Sequence, residues 1–313
     1  MTRVLLPCLV LSLTATPRVV TQKPADKPAR ATVVVDLVAH DRRGVPVMDL
    51  KPGDVEVRIG QFHVPIETFT VVQPGADERN GRLFVLILDD ITVPLSSMPR
   101  VREAAHHFVA GMRPGDQMAV MMLNDPAIEM TSDPAKLRRT IDHYSVRATG
   151  VQRSDQLGAQ VLNTIGGAAQ ALIEAGEGRK TIVGIGSGWL LDRPIPPPGA
   201  AGGNDLLREW IAAMRSLSRT GSVFYAIDPS GVGVTRADSG TTGFARETGG
   251  LGFVNTNDLK GAADRILSES SSYYSLRVAS PPVGGPDGLR EVQVKVSRRD
   301  VVVRARRAVH AAS

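Results

Sequence analysis

The chain has 313 residues, of which 42% are hydrophobic and 22% charged. That is enough apolar material for one large folded domain with a smaller companion, and too much for a disordered chain. The formal net charge is +5, but only seven of the 37 basic residues are lysine, and the single dense basic run is "SRRDVVVRARR" at 297–307. Aromatic residues are 4%, so the basic stripe with interleaved rings that would bind nucleic acid is not there.

Residues 1–30, "MTRVLLPCLVLSLTATPRVVTQKPADKPAR", pair a basic start with an apolar stretch at 4–13 and then small and polar residues. This is the layout of a secretory signal peptide followed by a Lys/Pro/Ala-rich linker, and the stretch is too short to stay as a membrane anchor. Cys8, the one cysteine, lies within it. An exported mature chain would therefore hold no disulfide and no thiol chemistry, and would have no membrane span.

From residue 31 the pattern alternates with period two. "TVVVDLVAHD" reads as a strand, "RRGVPVMDL" as a turn and short strand, and "DVEVRIGQFHVPIETFTVV" as a hairpin turning at Gly60. These make a small antiparallel module at 31–75, closed by the Pro/Gly/charge break "QPGADERNG". Strands then alternate with helices from 82 to 270. "RLFVLILDD", "QMAVMML", "RKTIVGIGSG" and "SVFYAID" are buried strands, with short ones at "AIEMT" and "LGFVN". Helices fall at "SSMPRVREAAHHFVAGM", "DPAKLRRTIDHY" with Asp133 as N-cap, "SDQLGAQVLNTIGGAAQALIEAG", "NDLLREWIAAMRSLSRTG" with Asn204 as cap, and "DLKGAADRILSES".

Apolar strands alternating with helices require a doubly wound, mostly parallel, Rossmann-like sheet. The tail at 271–308, "SSYYSLRVAS", "REVQVKVS" and "VVVRARR", returns to alternation and is expected to pack with the 31–75 strands. In a doubly wound sheet, ligands bind outside the carboxyl ends of the strands. Here those ends read Asp89-Asp90, then Gly186-Ser187-Gly188, then Asp228.

With Asp89-Asp90 at the first strand exit, the order of elements resembles a von Willebrand factor A-type domain over about residues 82–270. The flanks "VVVDLVAHDRRGVPVMDLKPGDVEVRIGQFHVPIETF" and "SSYYSLRV…REVQVKVSRRDVVVRARR" are similar to the acidobacterial "VWFA-related" family. The resemblance implies a protein-binding, adhesion-type module. It also implies a divalent cation held at the strand exits by Asp-x-Ser-x-Ser, a Thr and an Asp. This chain departs from that pattern. Counted from Asp89, the hydroxyl positions hold Ile91 and Val93; counted from Asp90, they hold Thr92 and Pro94. Thr149 or Ser154 stands for the second loop, and Ser187 replaces the third-loop carboxylate.

Two readings of the pair stay open. Asp89, Asp90, Thr92, Ser154 and Ser187 could form a water-rich Mg²⁺ site. Alternatively the acidic pair caps the loop and the helix that follows, with only one of the adjacent carboxylates pointing into the site. The expected partner face is Asp89, Asp90, Thr92, Ser187 and Asp228, where Asp228 either joins the site or opens the turn before Pro229.

Other motifs carry less. His106 and His107 are about 100° apart on one helix and do not converge on one metal. The Pro-rich stretch 192–203 is either a tolerated insertion or a stiff rim for a partner. "GIGSG" has its serine one place off a nucleophile elbow, and the histidine downstream is His310. The reading is an exported, non-enzymatic binding module with a degenerate cation site. The alternatives are an envelope-assembly component that binds neither metal nor ligand, and a hydrolase that turnover lost in Ser187→Ala would reveal.

Overall fold

Six consecutive apolar side chains build β5 (Leu83–Leu88), and all six are buried. A strand with no wet face must lie inside a sheet covered on both sides. In the computed structural model it is flanked by β6 (Gln117–Met122) and β7 (Lys180–Ile185), both parallel to it. Then come β8 (Val223–Ile227) and the two-residue β9 (Gly252–Phe253), giving the spatial order β6-β5-β7-β8-β9. The structure describes residues 32–73, 81–147, 154–176, 178–189, 191, 193–194, 205–233, 239–280 and 288–310.

Helices cover both faces. On one side lie α1 (Met98–Ala110), α2 (Pro134–Asp142) and α6 (Leu259–Glu269). On the other lie α3 (Ser154–Glu174), α4 (Asp205–Thr220) and α5 (Ser239–Glu247). The apolar spacing chooses the faces. Val101, Ala104, Ala105 and Phe108 make the buried stripe of α1, and Trp210, Ala213, Met214 and Leu217 that of α4. Both are i, i+3, i+4, i+7 patterns. Asp133 caps α2 as expected, its carboxylate accepting from Ala135 N–H at 2.8 Å.

The remaining strands form two four-stranded antiparallel sheets packed face to face. One is ordered β12-β1-β10-β4 and the other β13-β11-β2-β3. The N-terminal segment supplies β1 (Thr32–His40), β2 (Val55–Ile59), β3 (Phe62–Val64) and β4 (Ile66–Val72). The C-terminal segment supplies β10 (Tyr273–Ala279), β11 (Leu289–Val296), β12 (Val302–Ala305) and β13 (Ala308–His310). Val35, Leu37, Val57, Ile59, Tyr274, Leu276 and Val309 fill the space between the sheets. The two ends of the chain thus build one sandwich, as the tail's alternation predicts.

Four local differences from the sequence reading have plain causes. Residues 45–50 make only a bridge, Pro46 to His40, because Pro46 has no N–H for a ladder. The "AIEMT" stretch pairs with β6 at a single antiparallel bridge, Thr131 to Met118. Pro65 splits the second arm of the expected hairpin into β3 and β4, which belong to different sheets. Helix α5 was not anticipated. The cap position Asn204 and the signal-peptide segment lie outside the described residues.

Buried charges fasten the sandwich to the α/β layers. Arg179, just before β7, pairs with Asp36 of β1 at 2.6 Å and lies 4.0 Å over the Tyr273 ring. Arg304 of β12 reaches Glu269, itself paired with Arg265 at 2.6 Å, and donates to the Gly249 carbonyl at 2.9 Å. Arg306 donates to the carbonyls of Ser222, at 3.0 Å, and Leu217. Arginines of the one dense basic run are therefore used inside the molecule. All of these contacts lie at the amino ends of β7, β8 and β9, so the carboxyl edge of the parallel sheet is left to its own loops.

Candidate functional site at the carboxyl edge of the parallel sheet

The strand order reverses between β5 and β7. At such a switch point two loops leave in opposite directions and open a crevice. Asp89 and Ser187 stand at its two sides, joined by Asp89 N–H to the Ile185 carbonyl at 3.0 Å.

The Asp89 side chain is wholly buried, which a carboxylate tolerates only when its oxygens are satisfied. Oδ1 accepts from the backbone N–H groups of Ile91, at 2.9 Å, and Thr92, at 2.8 Å. Oδ2 accepts from Trp189 Nε1–H at 2.7 Å, Ser187 N–H at 3.3 Å and the Thr92 hydroxyl. That hydroxyl also lies 2.5 Å from the Ser187 carbonyl, so its one proton sits between two acceptors. The Asp89 carbonyl accepts from Tyr144 Oη at 2.7 Å. Burial first, and then the charges of Asp89 and Asp90, push the Tyr144 phenol up, keeping it a proton donor.

Asp90 faces elsewhere, as the alternation at a strand end requires. Its carboxylate accepts from Asn124 N–H at the exit of β6, at 3.1 Å, and its carbonyl from Arg147 N–H at 2.9 Å. Ser187 turns its hydroxyl away from Asp89, donating to Asp228 Oδ1 at 3.0 Å, with Ser230 Oγ at 2.8 Å. The same Asp228 oxygen accepts Ser230 N–H at 2.8 Å and so closes the turn. Asp89, Thr92 and Ser187 are therefore one knot, Ser187 links it to Asp228, and Asp90 belongs to the neighbouring loop. Thr149 and the Ser154 side chain lie outside the described residues, as does most of 192–203.

Trp189 was missed by the sequence reading. Its indole lies against Gly184 and Gly186, where a methyl group would overlap the ring; at Gly186 an added Cβ would come 2.5 Å from Trp189 and 2.7 Å from the Asp89 Cβ. The signal was present as alternating glycines followed by a tryptophan, a gap for a large ring against bare backbone.

A Mg²⁺ ion needs oxygen ligands with free lone pairs at about 2.0–2.1 Å in near-octahedral array. The Asp89 oxygens already accept five donors, and the space beside Oδ2 holds an indole N–H and ring carbons, which ligate nothing. The Asp89 oxygens do not fit the ion: they cap the loop at Ile91 and Thr92, while the start of the helix that follows carries no side-chain cap. No group of three or more His, Cys, Asp or Glu able to hold a metal occurs among the described residues.

The other motifs fall apart in space. His106 pairs with Asp142 at 2.9 Å, and His107 with Asp264 at 2.6 Å, on α2 and α6 respectively. The His310 backbone N–H bonds Ser218 near the carboxyl end of α4, and Ser218 lies at the amino edge of the sheet, opposite Ser187. No helix among the described residues is long and apolar enough to cross a membrane.

No protein-family model matches the chain, and no curated protein matches it. Among solved structures it is similar to the TFIIH p34 N-terminal domain, at 13% sequence identity and a TM-score of 0.34, over 61% of this chain and 98% of that one. A likeness at that score carries no functional argument. The chain's own strand order and helix layers define the class, a doubly wound α/β domain joined to an antiparallel β-sandwich.

Proposed function

We propose that this protein is an exported, non-enzymatic protein-binding module of the von Willebrand A-type class, akin to the VWFA-related family. It presents the carboxyl edge of its parallel sheet to a protein partner and does so without a cation. One observation carries the reading. The two most exposed large apolar side chains among the described residues, Leu95 at 71% and Val232 at 61%, both stand on loops of this edge. Those loops are tied from beneath. Leu95 follows the turn fixed by Asp89, and Val232 N–H is bonded to Asn257 at 3.4 Å, in a loop that Arg100 of α1 also reaches through the Thr256 carbonyl at 3.3 Å. Apolar side chains on a pre-ordered loop bind with little ordering cost.

The non-enzymatic reading is supported by the surroundings of Ser187, whose hydroxyl is bound by Asp228 and Ser230 in a turn, while His310 lies at the opposite edge of the sheet. Export is supported by the basic, apolar and small-residue layout of residues 1–30.

Photo-reactive residues placed at 95, 232 and, as a control, the sandwich-side position 45 test the proposal in the cell that makes the protein. The expected result is one shared adduct from 95 and 232, absent from 45 and unchanged by a chelator. An adduct lost on chelation overturns the cation-independent reading. No adduct at either loop favours the alternative of an envelope-assembly component with no ligand at this edge.

A further inference from the structure

Both sheets of the sandwich end on the same side. Among the described residues β4 is the last strand of its sheet, paired on one side only, with β10, and its chain neighbour β3 is the last strand of the other sheet. Core-facing apolar side chains are left partly open there. Phe62 is opposite the buried Ile59 and Val71 opposite the buried Tyr274, so each points inward, yet they are 42% and 37% exposed. Phe69, opposite the buried Leu276, is half-buried.

Edge strands are normally protected by proline, by charge or by a bulge. β4 has such protection at one end only. Pro65 precedes it, and a register shift leaves Glu67 between Ile66 and Thr68 without a partner on β10. From Thr68 to Val72 the register is regular, and the sequence Thr-Phe-Thr-Val-Val has no charge and no proline. All five residues are β-branched or aromatic, the types that favour strands.

We propose that β4 pairs antiparallel with β4 of a second copy of this chain, about a two-fold axis through Thr70. In that register Phe69 faces Val71 of the other copy twice, Thr70 faces Thr70, and Thr68 faces Val72. Aromatic with β-branched and Thr with Thr are favourable cross-strand pairs, and no like charges meet. Residues directly opposite share a face, so Phe69 and Val71 of each copy cover those of the other. A centre one residue to either side shortens the pairing or draws in the bulged Glu67. The result is a continuous eight-stranded sheet with an isologous interface. Because it lies on the sandwich, it leaves the carboxyl edge of both copies open, and it does not depend on the proposed partner binding.

Sedimentation equilibrium on the full chain, from about 1 to 200 μM, reads the outcome within the range of small, weak interfaces. The expected result is a concentration-dependent dimer that Thr70→Lys, a change at an exposed position, weakens at least tenfold while leaving the melting temperature within a degree or two. In a Cys8→Ser background, Thr70→Cys should form an interchain disulfide on mild oxidation and Thr68→Cys should not. A monomer throughout the range overturns the proposal. So does a dimer that survives Thr70→Lys, or one that cross-links equally through 68 and 70.

Discussion

At the scale of single residues, the chemistry of this molecule gathers on Asp89. A buried carboxylate that accepts five donors is itself a structural element, since each charge-assisted bond contributes about 1.5–3 kcal/mol. Asp89→Ala would strand those donors in a dry site, and urea melts should show a loss of about 3–5 kcal/mol. Trp189→Phe removes one donor and keeps most of the ring, so it should cost about 1–2 kcal/mol. A bound ion would add roughly 1.4 kcal/mol at ten times its Kd, so Mg²⁺ or Mn²⁺ up to about 10 mM should leave the melting temperature of the unmodified protein where it was. A clear rise that Asp89→Asn abolishes would restore the cation reading. Asp89 and Ser187 were legible in the sequence because strand exits in doubly wound sheets are marked by polar residues after apolar runs. Their partner Tyr144 was not, because nothing in local spacing says that an aromatic 55 residues downstream of Asp89 returns to its carbonyl.

At the scale of elements, β7 shows how a strand is shaped by what lies across it. Gly184 weakens a strand interior by ordinary propensity, and here it and Gly186, just past the strand, make room for the indole. Gly184→Ala would push a methyl group into the Trp189 ring, an overpacking expected to cost about 1–3 kcal/mol. Chemical denaturation of the single and double variants checks this, because the penalty should shrink when Trp189→Ala has already emptied the space. A penalty unchanged in that background would mean the glycine serves the backbone instead. The same comparison of pattern with packing explains what was readable. Helices α1 and α4 announce themselves through clean i, i+3, i+4, i+7 stripes. Helix α5, "SGTTGFARE", combines two glycines with two threonines and presents Phe244 and Ala245 as its buried pair, too short a run to set a period. The break at Pro65 was visible as a residue but not as a change of sheet, since one missing N–H does not say where the next strand goes.

At the scale of the whole molecule, the sandwich sits on the amino edge of the parallel sheet, and buried polar side chains make the joint. Tyr225 Oη donates to Glu269 at 3.0 Å, and Glu269 also holds Arg304 and Arg265. Burial, then the nearby Glu269 charge, raises the Tyr225 phenol to about 12. The folded state therefore holds this proton more tightly than the unfolded chain, whose phenol titrates near 10. The contribution is complete below about pH 10 and is lost as pH rises toward 12, amounting to about 3 kcal/mol from two pK units. Unfolding free energies between pH 9 and 12 should fall more steeply for the unmodified protein than for Tyr225→Phe. Parallel slopes would remove Tyr225 from the account. Arg306, elsewhere in the joint, is pushed down to about 10, chiefly by burial, and its guanidinium is held by the carbonyls of Leu217 and Ser222. That outcome was invisible in a run of basic residues, because the sequence shows the charges and not the helix ends they cap.

The sheet order β12-β1-β10-β4 also has a consequence in time. β1 lies between β10 and β12, and its register joins Thr32 to Ala279. Both neighbours of the first strand are made after the α/β layers, so a growing chain carries β1 and β4 unpartnered through most of its synthesis, while β2 and β3 have each other. Contacts this distant in sequence form slowly. The parallel sheet, whose strands all precede the tail, can assemble while the ribosome still holds it. The earliest strand made is thus among the last to be locked, and the joint at Arg179, Arg304 and Arg306 closes only when the final strands arrive.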